Sequence, residues 1–381
     1  MAKVRVLIID DSALIREVLT QILSKDPGIE VVGTARDPID AWPKLTALAP
    51  DVLTLDVEMP RQDGLSFLER LMREKPMPVV MVSSLTHRGC ETTLRALELG
   101  AFDFVEKPKL DLQAGTFALA SELVEKVKAA RFARVFARQA PSPTLVQSAG
   151  LRALDPAAPG QGARARAIWN MPSPSPARAT LSSREAQGSM LRTTDVIVAL
   201  GASTGGTEAL REVIGALPED SPPIVVVQHM PPRFTKSFAE RLDSLSRVRV
   251  LEACDGDRVL RGQVLLAPGD YHMTLCRSGA HYFVRLDQEP RHNNFRPSVD
   301  RLFESVARVA GRNAVGALMT GMGGDGARGL LAMRNAGGRT IAQDEATCAV
   351  FGMPAVAIAL GAAERVVGLP DIAAAVLSLA R

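Results

Sequence analysis

The chain has 381 residues, enough for two or three domains at roughly 100–200 residues each. It is 46% hydrophobic and 23% charged, ordinary for a globular protein, so the supply of core residues is not limiting. Its 45 Lys+Arg against 42 Asp+Glu leave +3, too little to mark a nucleic-acid binder by bulk charge. Four cysteines (Cys90, Cys254, Cys276, Cys348) form no CxxC pair, which argues against a zinc ribbon or a disulfide scaffold and fits a reducing compartment. The opening apolar run is too short for a signal-peptide core, and no 18-residue apolar stretch follows. A soluble, cytoplasmic protein with no direct membrane insertion is expected.

Residues 1–125 alternate short aliphatic runs with helical spacing. The runs Val4–Ile9, Ile29–Gly33, Val52–Leu55, Val79–Val82 and Asp103–Val105 are too short for helices and read as strands. Leu14, Val18 and Ile22, then Phe67, Leu68 and Leu71, mark helices between them. Such alternation predicts a parallel sheet with helices on both faces. Residues 126–191 start as the end of a helix running through Val124, Val127 and Phe132. They continue as a Pro-, Ala- and Arg-rich segment, with Arg138, Arg152, Arg164, Arg166, Arg178 and Arg184 facing only Asp155 and Glu185. That stretch has too little apolar content to offset its ordering entropy and reads as a flexible basic linker.

Residues 192–381 resume the alternation. Strands are expected at Val196–Leu200, Ile224–Val227, Val248–Leu251, Val264–Ala267, Ala314–Met319 and Thr340–Ala342, with Met273–Cys276 and Tyr282–Leu286 as a hairpin. Helices are expected at Glu208–Ala216, Phe234–Leu245, Ser298–Val309, Arg328–Ala336 and Ile372–Leu379. The fold class is therefore α/β: two doubly wound, mostly parallel-sheet domains joined by a linker.

In the first domain, Asp10 and Asp11 follow the first strand and Asp56 follows the third. Ligands of open parallel sheets bind outside the carboxyl ends of the strands, so these carboxylates should converge. Three such groups repel one another unless a cation neutralises them, and an oxygen-only set suits Mg²⁺. Ser83 closes the fourth strand and Lys107 the fifth, which adds a hydroxyl and an ammonium to the same rim. Carboxylate, metal, hydroxyl and ammonium together make a phosphoryl site.

In the second domain the first strand runs into Gly201-Ala202-Ser203-Thr204-Gly205-Gly206, which satisfies G-x-S-x-G. The same string would also serve as a phosphate-binding turn, but the string itself lacks the G-x-G-x-x-G spacing and no acidic residue closes the next strand. That strand ends in Gln228-His229-Met230, so His229 is the candidate base, ahead of His292 and His272. Asp325, in the glycine-rich run Thr320–Gly326, is the candidate partner of the imidazole, ahead of Asp300. A glycine loop of this kind can also present main-chain N–H groups as an oxyanion hole. The order Ser, His, Asp excludes the α/β-hydrolase order Ser, Asp, His.

Two resemblances follow from these strings. LIIDDS (7–12), LDVEMPRQDG (55–64), VSS (82–84) and FVEKP (104–108) resemble the flavodoxin-like receiver domain of response regulators. That resemblance implies Asp56 as phosphoacceptor, Asp10, Asp11 and Asp56 around Mg²⁺, and Ser83, Lys107 and Phe104 as switch residues. GASTGGTEAL (201–210), VVVQHMP (225–231), APGDYHM (267–273), RPSVDRLF (296–303) and LMTGMGGDGARGL (318–330) resemble the Rossmann-like catalytic domain of the protein-glutamate methylesterases of chemotaxis, the CheB family. It implies Ser203 as nucleophile, His229 as base and Asp325 as its partner, with the main-chain N–H groups of Met322 and Thr204 as oxyanion donors. It also implies hydrolysis of γ-glutamyl methyl esters on methyl-accepting chemoreceptors, glutaminase activity, and phosphorylation by a sensor histidine kinase of the CheA type. The string Arg291–Phe295 departs from the family pattern and leaves the roles of His292 and Arg296 open. Rival classes are a non-enzymatic adaptor and a DNA-acting regulator. The absence of a helix-turn-helix pattern weighs against the latter.

Overall fold

The computed structural model describes residues 2–59, 63–84, 86–107, 113–132 and 196–381. Most of the segment expected to be a linker lies outside the described residues, as do Pro60, Arg61, Gln62 and Pro108 of the quoted strings.

The first sheet contains β1 (Val4–Ile9), β2 (Ile29–Ala35), β3 (Val52–Asp56), β4 (Val79–Ser83) and β5 (Asp103–Glu106), all parallel, in the order β2-β1-β3-β4-β5. Helices α1 (Ala13–Ser24), α2 (Pro38–Ala47), α3 (Gly64–Glu74), α4 (His87–Glu98) and α5 (Gln113–Ala130) connect and cover the strands. Every residue of β3 and β4 is buried, which accounts for their mostly aliphatic sequences. Side-chain caps start α1 at Ser12, α2 at Asp37 and α3 at Asp63. The inward face of α1 is Ile15, Leu19, Ile22 and Leu23, and Leu14 is exposed. Helix α5 stops at Ala130, short of Phe132, which is exposed and has no core to enter.

The second sheet contains β6 (Ile197–Ala202), β7 (Ile224–Gln228), β8 (Arg249–Glu252), β9 (Gln263–Leu266), β12 (Ala314–Leu318), β13 (Arg339–Gln343) and β14 (Arg365–Val367). Its order is β14-β13-β12-β6-β7-β9-β8, with every pairing parallel. Strands β10 (His272–Ser278) and β11 (His281–Asp287) form a separate antiparallel hairpin. The helices are α6 (Gly206–Gly215), α7 (Phe234–Leu245), α8 (Val299–Ala310), α9 (Ala327–Asn335), α10 (Met353–Ala359) and α11 (Leu369–Leu379). Two elements carry no readable signal in the sequence. Strand β14 is three residues long and mostly exposed, and α10 is a seven-residue helix of uniformly apolar or small residues with proline in its first turn.

The chain order reverses at the centre of each sheet. In the first, β1 has β2 on one side and β3 on the other. In the second, β6 lies between β12 and β7. The carboxyl ends beside such switch points form the crevice that open α/β sheets use for ligands. The two sheets also share one continuous apolar cluster. Leu94, Leu97 and Phe104 from the first sheet's layer join Phe234, Phe238 and Leu242 of α7 in it. Helix α4 packs on α7 and α6.

Candidate functional site: a serine–histidine–aspartate chain beside an acidic pocket

Ser203 leaves the end of β6 in a tight turn. Its N–H donates to Thr320 O at 3.0 Å, and its carbonyl accepts from Gly206 N at 2.7 Å and Gln228 Nε2 at 2.8 Å. Gly205, next in the turn, has φ 74°, a conformation that favours glycine. His229 follows β7, the neighbouring strand, and its N–H donates to Ala202 O at 3.3 Å. The imidazole spans the gap between strand ends. Its Nδ1 lies 3.0 Å from Ser203 Oγ and its Nε2 lies 2.8 Å from Asp325 Oδ2. Thus three residues far apart in sequence meet at the ends of β6, β7 and β12.

Asp325 does not cap the helix it precedes. Gly326 holds the start of α9, without a side-chain cap. The Asp325 carboxylate turns instead to the first turn of α8. Val299 N donates to Oδ2 at 2.7 Å, and Ser298 Oγ and Asn293 Nδ2 donate to Oδ1 at 2.8 and 2.9 Å. Burial alone raises a carboxyl pKa. Here the hydrogen bonds from His229, Asn293 and Ser298 outweigh burial and hold Asp325 down at about 2. A carboxylate ionised at every physiological pH only accepts, so Nε2 of His229 carries the ring proton and Nδ1 is left to accept from Ser203 Oγ–H.

The loop after β12 closes the site. A Cβ on Gly321 would lie 2.8 Å from Ser203 Cβ and closer still to Met353 Sδ, so only glycine allows this approach. The adjacent Met322 N–H, and that of Thr204, donate to no protein acceptor among the described residues. Of the other candidates, His272 is buried and faces Pro290 O through Nε2 at 3.2 Å, outside the chain. His292 meets Phe295 through the main chain. Arg296 braces its surroundings, bonding Asp270 Oδ1 through Nε at 3.0 Å and Nη2 at 2.6 Å and reaching Gln288 O and Glu289 O through Nη1. Asp300 lies beside Asp325, accepting from Gly329 N at 2.7 Å and Asn293 Nδ2 at 2.9 Å, and burial raises its pKa. Gln228, Asn293, Phe295 and Ser298 complete the site and were not singled out from sequence. A doubled asparagine before an aromatic residue is a turn signal that points to two of them.

On the first sheet, Asp10, Asp11 and Asp56 each bring a carboxylate oxygen within 4.8 Å of the others. Lys107 Nζ approaches Asp56 Oδ2 at 2.8 Å and Asp10 Oδ2 at 3.3 Å, and neither oxygen has a well-aligned hydrogen bond. Three carboxylates against one ammonium leave an excess of negative charge. Burial pushes Asp56 up to about 6 despite Lys107. An acceptor-only set whose charge one ammonium does not balance fits a hard divalent cation. The Ser83 hydroxyl does not join this rim. It accepts from Thr93 Oγ1 at 2.7 Å and lies 3.3 Å from Gly89 O. Its burial beneath α4 turns it inward, which corrects the expectation of a hydroxyl aimed at the acidic pocket. Phe104 is buried as well, stacked on Phe234 with ring centroids 4.3 Å apart.

Buried Asp103 of β5 links the two layers. Its carboxyl is raised chiefly by burial, against the lowering effect of Lys126, whose Nζ lies 3.3 Å away, and of the nearby Thr204 side chain. The first sheet thus comes near the residue after Ser203.

An acidic receiver-like pocket on one sheet and a Ser–His–Asp chain on the other define a response regulator whose output is a hydrolase. The comparisons with known proteins agree. Residues 6–114 match the response regulator receiver domain and residues 198–376 match the CheB methylesterase. The chain is 52% identical over 377 residues to protein-glutamate methylesterase/protein-glutamine glutaminase 2 of Pseudomonas aeruginosa, covering 99% of this chain and 97% of the relative. It is 51% identical over 378 residues to the protein of that activity from Paraburkholderia xenovorans, with the same coverage. The Thermotoga maritima CheB methylesterase catalytic domain is 44% identical, covering 49% of this chain and 98% of that one, with a TM-score of 0.48. The chain belongs to the protein-glutamate methylesterase/protein-glutamine glutaminase family.

Proposed function

We propose that the chain hydrolyses γ-glutamyl methyl esters on methyl-accepting chemoreceptors, releasing methanol, and that phosphorylation of Asp56 raises this activity. The observation that carries the reading is the chain Ser203 Oγ–His229 Nδ1–Asp325 Oδ2, at 3.0 and 2.8 Å. Ser203 Oγ attacks the ester carbonyl as its proton passes to His229 Nδ1. Asp325 holds the ring and stabilises the imidazolium. The Met322 and Thr204 N–H groups receive the oxyanion. Collapse expels methoxide, which takes the proton from His229 and leaves a glutamyl ester on Ser203. Water, deprotonated by His229, then cleaves that ester and regenerates the hydroxyl. With a glutamine substrate the same steps release ammonia, the glutaminase reaction.

Residues 1–125 are the receiver in this reading, 126–191 contain the helix end and linker, and 192–381 are the esterase. Asp10, Asp11 and Asp56 would hold Mg²⁺, which when bound neutralises charge on the incoming phosphoryl oxygens. Lys107 contacts the phosphoryl group, which a sensor histidine kinase of the CheA type supplies. The added charge of about −1.5 to −2 draws Lys107 away from its carboxylates and shifts Ser83 and Phe104. Phe104 stands on Phe234, and the apolar contact around them supports a resting state in which the receiver limits access to Ser203. A cytoplasmic setting, in which the four cysteines stay free thiols, is part of this reading.

The test is methanol release from a methylated receptor fragment, with and without Mg²⁺ and a small phosphodonor. Release that rises with phosphodonor in the native chain, is unresponsive in Asp56→Asn and is lost in Ser203→Ala supports the reading. Release retained by Ser203→Ala removes the nucleophile assignment. Equal release with and without phosphodonor removes the regulatory part.

A further inference from the structure

The segment between β11 and α8 reverses direction in a two-residue turn. His292 N donates to Phe295 O at 3.0 Å and Phe295 N donates to His292 O at 2.9 Å. The central residues, Asn293 and Asn294, have φ 52° and 70°. Two consecutive positive φ values are what a type I′ turn requires, and asparagine is among the few non-glycine residues that adopt them readily. The turn sets two side chains against the catalytic machinery. Phe295 lies flat on the His229 imidazole, with ring centroids 3.7 Å apart and planes within 6°. Asn293 Nδ2 donates to Asp325 Oδ1 and to Asp300 Oδ2, both at 2.9 Å.

The two hydrogen bonds of His229, to Ser203 and Asp325, restrain the ring only at its edges. Hydrogen bonds at two edge atoms leave a ring free to rock about the line joining them. Stacking on a face removes that freedom and keeps water off the same face. Asn293 acts on the next member of the chain. Asp325 and Asp300 are neighbouring buried carboxylates that repel, and one amide donating to both holds Asp325 Oδ2 toward His229.

We propose that the Asn293–Phe295 turn is a positioning element of the esterase: Phe295 fixes the plane of the His229 imidazole and Asn293 fixes the Asp325 carboxylate. Neither residue needs to touch the substrate for this role. The inference rests on the hydrolytic reading of Ser203, His229 and Asp325. Misalignment of about 1 Å in such a chain costs about 10²-fold in rate.

The experiment uses the full chain with Mg²⁺ and phosphodonor and reads kcat and KM for methanol release, together with the rate of covalent labelling of Ser203 by a small fluorophosphonate. In Phe295→Leu, kcat and labelling rate are expected to fall about 10- to 10²-fold with KM unchanged. Phe295→Tyr, which keeps a flat ring, should restore both. Asn293→Gly keeps the positive φ and removes the amide, so it should lower kcat without a change in KM. Circular dichroism and the thermal midpoint establish that each variant is folded. An effect confined to KM would make Phe295 a substrate contact and overturn the proposal, as would a Leu variant with native kcat or a Tyr variant as slow as Leu. A native chain that fails to label or to release methanol would instead strike the hydrolytic reading itself.

Discussion

Phe104 at the edge of the acidic pocket's sheet stacks on Phe234, the first residue of the helix that follows the catalytic-histidine strand, at 4.3 Å between centroids and 27° between planes. Further along α7, where α4 packs on it, Arg241 Nε donates to Glu98 Oε1 at 2.7 Å. A half-exposed ion pair of this kind is worth about 0.2–1 kcal/mol. Reversing one charge with Glu98→Arg replaces attraction by repulsion without disturbing either core. Basal methanol release should rise about two- to fivefold on that scale. The double exchange Glu98→Arg with Arg241→Glu should bring it back down. Unchanged basal release in the single variant would mean that this contact does not restrain the enzyme.

Asp325→Asn keeps the shape of the side chain but removes the charge that fixes the imidazole proton on Nε2. The amide can present its NH₂ to His229 and favour the wrong tautomer. A loss of about 10³–10⁴-fold in kcat is expected at neutral pH. The fold should survive, because with the NH₂ at the Oδ2 position the amide oxygen still accepts from Ser298 Oγ and Asn293 Nδ2, and only the bond from Val299 N is lost. Steady-state kinetics with a thermal melt on the same sample checks both halves.

Lys126 is the counter-charge to Asp103, and its Nζ also donates to Phe104 O at 2.6 Å. Lys126→Met leaves a buried carboxylate unpaired, at a cost of about 3–5 kcal/mol at neutral pH. The pH dependence has a definite sign. Burial already raises the Asp103 pKa in the folded chain, and losing Lys126 raises it further. The folded state then binds a proton that the unfolded state releases near pH 4, so the variant loses stability as pH rises from about 4 toward 7. Urea midpoints at pH 5 and pH 7, compared with the native chain, should show the deficit shrinking at the lower pH.

The four thiols should separate by reactivity. Burial pushes Cys90 up to about 11 and Cys348 up to about 12, so neither presents thiolate near neutrality. Cys254 is exposed. Iodoacetamide at pH 8 should modify Cys254 first and leave Cys90 and Cys348 unmodified until the chain unfolds, as peptide mapping by mass spectrometry would show. Early alkylation of Cys90 would mean that α4 opens under native conditions.

Much of this fold was legible because parallel strands buried on both faces need runs rich in aliphatic residues, and β1, β3, β4, β6, β7 and β12 have them. The failures share a cause. β14 is short and mostly exposed, so it has no hydrophobic pattern to display. α10 is apolar throughout and shows no periodic stripe. Strand-end residues Ser203, His229, Asp325 and Asp56 could be located because the topology places strand ends together. The orientation of a side chain at such an end depends on what lies above it, which is why the inward turn of Ser83 toward Thr93 was missed. Phe295 and Asn293 reach the site from a loop, and no strand periodicity leads to them.

The contact between the two layers has a thermodynamic corollary. Helices α6 and α7, which α4 grips, begin just after Ser203 and His229. A receptor segment that binds only when this grip is released draws free energy from the same equilibrium that phosphorylation biases. Linkage makes such coupling mutual: whatever factor phosphorylation contributes to substrate affinity, bound substrate must return to the phosphorylated state. Receptor occupancy would then act as a memory, with the phosphoryl group favoured on chains already engaged over chains still searching.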